Sequence, residues 1–239
     1  MMTTNRRETR VIQRDDVNFQ WPARDPLEEY TTPERLARVD TVLRQRIVSV
    51  TTVFEDVFDP HNIAAGVRTC EGYGLHDLHV IHNQHGMRSR STVAKSADQW
   101  VEIAQHGSTL AGVQALKQQG FAIWVSDLQA TETLQELPLD PRIALVVGNA
   151  KTGISEEMRA LADRRYILPM HGMVQSFNLS VALAISLEQL VPRRRAELHG
   201  WGDMPMARMW ALRQHWLELG HRHVEVLRRE LGYGEQPDT

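Results

Sequence analysis

Cysteine is almost missing from this chain of 239 residues: Cys70 stands alone. No internal disulfide can form, which suits a reducing, cytoplasmic setting. Long apolar runs are missing too. No stretch approaches the ~18 residues of a membrane-spanning helix, so no membrane partner is expected. The N-terminus, MMTTNRRETR, has no apolar segment and does not read as a secretory signal. A basic excess is also lacking. The formal net charge is -3, which gives no global attraction to nucleic acid. DNA is therefore not an expected partner, and RNA would have to meet local basic patches. Two patches exist, one from Arg35 through Arg38 and Arg44 to Arg46, the other Arg193-Arg194-Arg195. On charge alone each reads first as a solvated helix face. No internal repeat is visible.

What is present reads as an ordinary soluble globular protein, 42% hydrophobic and 24% charged. Residues 1–31 are polar and without a sustained period, so they read as a flexible extension. Thr32-Pro33-Glu34 starts a helix that runs to about Arg46. Strands are expected at Ile47–Val53, Leu78–Ile81, Phe121–Val125, Ile143–Val147 and Tyr166–Leu168. Ile143–Val147 is continuously aliphatic and mostly β-branched, the pattern of a strand buried on both faces. Helices are expected after Asp59-Pro60, from Ser108 to Gln119, after Ser155, and from Leu179 to Leu190, where Pro192 should end the last. The polar segment from His82 to Ser96 reads as a long loop. Strands alternating with helices give an α/β fold, a parallel sheet covered on both faces. Residues 204–231 form a separate amphipathic helical tail.

Three segments carry chemistry. In Asp59-Pro60-His61-Asn62-Ile63-Ala64-Ala65-Gly66-Val67-Arg68, Asn62 and Arg68 stand on a small-residue helix that begins at a strand end, where parallel sheets bind ligands. In Gly148-Asn149-Ala150-Lys151-Thr152-Gly153-Ile154-Ser155, two glycines bracket a turn from a buried strand to a helix N-terminus. It satisfies neither GxxxxGK[ST] nor GxGxxG, which argues against a nucleotide-dependent oxidoreductase. In Leu168-Pro169-Met170-His171-Gly172-Met173-Val174-Gln175-Ser176-Phe177-Asn178, a strand ends and a glycine loop leads to helix-capping residues. Taken singly, each segment also reads as a plain turn or cap.

Together, in order and spacing, they resemble the SPOUT superfamily, specifically the TrmH-like tRNA (guanosine-2′-O)-methyltransferases, over roughly Thr32 to Arg195. The resemblance implies a C-terminal deep trefoil knot, an exception to ordinary topology. It implies a SPOUT domain over 32–195 between an extension at 1–31 and helical residues 196–239. It implies S-adenosylmethionine as cofactor, held at Ser126, Gly148, Leu168, Met170, Gly172 and Phe177. It implies tRNA as partner and a homodimer that shares its active sites. Residue by residue, Arg68 matches the catalytic arginine, Asn62 its helix-start partner, and Ser176 and Asn178 the active-site serine and asparagine. Arg38 and Arg193 match RNA-contacting arginines. A second arginine of that kind is replaced by Val191. Ala150 stands where the family carries a glutamate, which removes a carboxylate able to accept from Asn62. A SPOUT-fold RNA binder with weakened catalysis and a ribosomal RNA methyltransferase are the alternative readings. No metal site is expected. His76, His79, His82 and His85 recur every three residues, which on a strand sends neighbours to opposite faces. Cys70 reads as core.

Overall fold

The computed structural model describes residues 19–83, 98–149, 151–220 and 226. Ala150, His85, and most of the long polar loop lie outside the described residues. Two compact units are formed, one by Gln45–Asp203 and one by the flanking segments.

The central unit holds a six-stranded sheet of order β3-β2-β1-β5-β4-β6, in which every pairing is parallel. The strands are β1 (Val50–Glu55), β2 (Asp77–Ile81), β3 (Glu102–His106), β4 (Ala122–Ser126), β5 (Ile143–Val147) and β6 (Arg164–Tyr166). β5, buried at all five positions, lies between β1 and β4 as its unbroken apolar run requires. Side chains alternate between two cores. Phe54, Leu145, Val147 and Trp124 face α2 (Pro60–Gly72) and α5 (Leu179–Glu197) through Ile63, Val67, Leu183 and Leu187. Val53, Val125, Ala144 and Val146 face α3 (Thr109–Gln118) and α4 (Glu156–Leu161) through Val113, Leu116 and Met158. This is period-2 alternation on a sheet covered twice. Gly66 is small because it must be. A Cβ there would sit 2.5 Å from the Phe54 ring and 3.3 Å from Leu183.

Several boundaries differ from the sequence pattern for identifiable reasons. β1 starts at Val50, not Ile47, because the Asp203 carboxylate takes the N–H groups of Val48 at 2.6 Å and Ser49 at 3.2 Å. β3 is polar and half-exposed, an edge strand with no apolar run to announce it. β6 lies two residues earlier than expected and is only three residues long. α5 continues through Pro192 to Glu197. Proline removes one backbone bond, and the following arginines tie the last turns down by side chain instead. Arg193 donates to the carbonyls of Leu134 (2.8 Å) and Leu137 (2.6 Å). Arg194 reaches the Asp140 carbonyl, and Arg195 reaches that of Tyr73 at 2.9 Å. The expected basic patch is thus three anchors that spend donors on carbonyls.

The second unit brings together a 3-10 turn at Pro26–Tyr30, α1 (Pro33–Arg44) and α6 (Met206–Glu218). Asp25 caps the turn in a reciprocal box with Glu28, which the irregular polarity of this region does not announce. Buried Arg213 pairs with Asp40 and Glu28, each at 2.7 Å, and lies over the Trp21 ring. No helix among the described residues is long and apolar enough to cross a membrane.

Candidate active site

The C-terminal ends of β4, β5 and β6 meet around one cavity of about 320 Å³. That is where a doubly covered parallel sheet offers a ligand site, beyond the carboxyl ends of its strands. Three segments supply most of the wall: 126–129 after β4, 147–149 with 151–154 after β5, and 167, 168, 170 and 175–177 after β6. The three stretches singled out in the sequence therefore do not all meet here. The second and third do, and the first stands beside them through one hydrogen bond.

The wall after β5 is a closed turn. Asn149 and Gly153 exchange backbone bonds in both directions, each 2.9 Å. Gly153 sits at φ +71°, left-handed backbone that glycine adopts without cost. Gly148 admits no side chain: a Cβ would lie 2.3 Å from the Gly153 carbonyl carbon. The Asn149 amide ties the turn back to the Asp56 carbonyl at 2.8 Å. The wall after β6 is tied to the segment after β4, where Asp127 N–H donates to the Tyr166 carbonyl and Ile167 N–H to that of Glu132, both 2.9 Å.

Of the cofactor positions expected from sequence, Ser126, Gly148, Leu168, Met170 and Phe177 line the cavity. Gly172 does not; it lies in the exposed stretch 171–178, with nothing near its Cα face. Ser176 lines the cavity. Asn178 caps α5 instead, its Oδ1 accepting from Ser180 N–H at 3.0 Å. Its Nδ2 donates to Asn62 Oδ1 at 3.3 Å, which joins the starts of α2 and α5. Asn62 Nδ2 in turn donates to Asp59 Oδ2 at 3.2 Å. So Asn62 already has a carboxylate partner, despite the alanine at position 150. Arg68 is exposed on α2 and is not part of the cavity wall. Arg38 is exposed on α1, in the other unit.

Sequence reasoning missed two charged groups at the cavity, Asp127 and Arg159. Asp127 is nearly inaccessible and pairs with Arg159 Nε at 3.0 Å. Nothing in a lone aspartate or a mid-helix arginine separates them from surface charge. It also missed Glu55, whose signal was available: a carboxylate closing a strand that is otherwise fully buried. His79 and His106, on neighbouring strands, share a bond of 3.0 Å. Burial, and then the neighbouring His106, push His79 down to about 4. His76, Asp77 and Glu102 approach closely enough to be grouped, but away from the cavity wall. Burial pushes the Cys70 thiol up to about 12, so it is an unreactive core group.

The cavity offers both apolar and polar surface to a ligand. Val147, Ile154, Leu168 and Leu179 offer apolar surface, and Ser126, Asn149, Gln175 and Ser176 offer hydrogen-bonding groups.

The family model described as "SpoU rRNA Methylase family" matches residues 49–188, which span all three wall segments and α2. The chain is similar to the tRNA (guanosine(18)-2′-O)-methyltransferase of Escherichia coli (strain K12), 35% identical over 164 residues, or 68% of this chain and 72% of that one. It is similar also to the enzyme of the same name from Thermus thermophilus, 34% identical over 65% of this chain and 81% of that one. Among solved structures, the A. aeolicus TrmH/SpoU tRNA modifying enzyme superposes with a TM-score of 0.68 at 27% identity, covering 81% of this chain and 98% of that one.

Proposed function

The chain belongs to the SpoU rRNA methylase family, and from that premise we propose that it methylates the 2′-hydroxyl of a guanosine ribose in tRNA. The observation that carries the reading is the convergence of three strand ends on one cavity, within a family-matched span. The relatives' names supply the nucleoside and the RNA class. S-adenosylmethionine supplies an electrophilic methyl group on a sulfonium. Ser126, Gly148, Leu168, Met170 and Phe177 would hold it, with Gly172 on the outer part of the same loop.

A ribose hydroxyl is a poor nucleophile until its proton is leaving, and the protein must hold its oxygen in line, about 3 Å from the methyl carbon. Arg68 is the activator in this reading, but not as a base. A guanidinium resists deprotonation, so Arg68 stabilises the developing alkoxide and grips the adjacent phosphate. The proton leaves through that phosphate or through water. Ser176, at the cavity lip, and Asn178, beside it, orient the ribose. Asn62 fixes the Asn178 amide.

Arg68 lies outside its own chain's cavity wall, which supports a homodimer in which each copy completes the other's site. Exposed Met173, Val174 and Val181 lie near the cavity lip and supply apolar surface for such an interface. A C-terminal trefoil knot, implied by the family resemblance, is part of the same proposal. Arg38, exposed on α1, would meet RNA phosphates. Arg193 has guanidinium donors to spare beyond its two carbonyl bonds. Residues 32–195 would make the methyltransferase domain, with 1–31 and 196–239 appended, in a cytoplasmic protein; its core lies in the unit Gln45–Asp203, while α1 belongs by packing to the smaller unit.

The test is tritium transfer from labelled S-adenosylmethionine into bulk tRNA. Incorporation by the wild-type chain, lost in Arg68→Ala, supports the reading; no incorporation into tRNA overturns it. Ribosomal RNA is the second reading, favoured by the wording of the family description. Labelling of ribosomal RNA alone would establish it.

A further inference from the structure

Glu55 is the last residue of β1 and is 1% exposed, and it does not line the cavity described above. Its carboxylate accepts three hydrogen bonds. Oε1 takes the hydroxyls of Thr109 at 2.6 Å and Ser155 at 2.7 Å, and Oε2 takes the Ser155 N–H at 2.9 Å. Ser155 follows directly on the turn 148–154 that forms the cavity wall after β5, and it caps α4. The other end of that turn is held by the next residue of the same strand exit, through Asn149 and the Asp56 carbonyl. Residues 55 and 56 therefore grip both ends of one wall of the site.

The direction of each hydrogen bond suits an acceptor-only group. The Ser155 hydroxyl already accepts from Met158 N–H at 3.0 Å. The Thr109 hydroxyl already accepts from Asn83 Nδ2 at 2.8 Å, and Thr109 N–H at 2.8 Å on Asn83 Oδ1 fixes that amide's orientation. Each hydroxyl still has its one proton to give to Glu55, beside a backbone N–H that can only donate. A carboxylate satisfies three donors at once. An amide of the same shape has one acceptor oxygen for these three donors, at a position that is almost wholly buried.

We propose that Glu55 is a positioning residue for the methyl-donor site, acting through Ser155 to hold the 148–154 wall against the cofactor. The proposal rests on the reading of the cavity as the S-adenosylmethionine site. It separates two functions of one carboxylate: the Ser155 bonds serve the ligand, and the Thr109 bond serves the packing of α3.

Calorimetric titration with S-adenosylhomocysteine, paired with thermal unfolding, tests it. Glu55→Gln and Ser155→Ala should each weaken the ligand about tenfold, the loss expected for one misdirected buried bond. The double variant should be no weaker than the worse single, because both remove the same link. Thr109→Val should lower the melting temperature while holding ligand affinity within about twofold. Glu55→Gln with a lowered melting temperature and wild-type affinity overturns the assignment. So does Thr109→Val weakening the ligand as much as Glu55→Gln. If Glu55→Gln does not fold, Ser155→Ala decides in the same way, since unchanged affinity there overturns the proposal. A wild-type chain that binds no S-adenosylhomocysteine defeats the reading of the cavity instead.

Discussion

Asn62 stands between two groups with opposite needs. The Asp59 carboxylate can only accept, and the Asn178 amide presents its N–H side because its oxygen is held by Ser180 N–H. Asn62 satisfies both, and its own orientation follows. Asp59→Ala should therefore lower turnover by about three- to tenfold, the worth of one hydrogen bond to a charged group at a partly exposed site. Ala150→Glu should change turnover less than that, because Asn62 already has its carboxylate. Steady-state rates on tRNA check both; a large gain from Ala150→Glu would show that Asp59 is no substitute. Arg68→Ala should abolish methyl transfer while leaving ligand affinity within about twofold, since Arg68 is not part of the cavity wall. These residues were legible from motif order. Asp59 was visible only as a helix cap, because its second role depends on a side-chain amide 3.2 Å away.

At the scale of elements, the turn after β5 and the edge of the sheet behave differently. Gly148→Ala would force a Cβ into the Gly153 backbone, an overpacking that costs about 1–3 kcal/mol and falls on the cavity wall. Ligand affinity should drop together with the melting temperature. At the opposite edge, β2 and β3 are joined by the His79–His106 contact. Burial holds His79 near 4, below its ordinary value of 6.5. The unfolded chain thus binds more protons between those values, so stability is full above pH 6.5 and declines as pH falls toward 4. Denaturant midpoints at pH 7.5 and 5 should differ in that direction, and His79→Gln should flatten the difference. Element types were readable wherever apolar period was strong, as in β5 and α3. β3 escaped because an edge strand needs no apolar alternation. α5 outran Pro192 because distant carbonyls at 134, 137 and 140 hold its end, and no local rule reports them.

At the scale of the molecule, the chain divides into a SpoU-family domain and a smaller unit made from both chain ends. The smaller unit is pinned by a buried cation. Removing it with Arg213→Met strands Asp40 and Glu28, which remain partly exposed, so the cost should be about 1–3 kcal/mol. The loss should appear as a lower denaturant midpoint. Sequence period anticipated the helical tail but not its tie to residues 25–30, since that tie is an ion pair between segments 185 residues apart. The proposed dimer is tested by sedimentation: the wild-type chain should run as twice its 27.3 kDa mass, and Val181→Glu should shift it toward one. The most direct test of the whole account is mass-spectrometric mapping of an unmodified tRNA transcript after incubation with the chain and S-adenosylmethionine. The account predicts a single new 2′-O-methylguanosine. A methyl group on a base, or a transcript left unmodified by a chain that binds the donor, would contradict it.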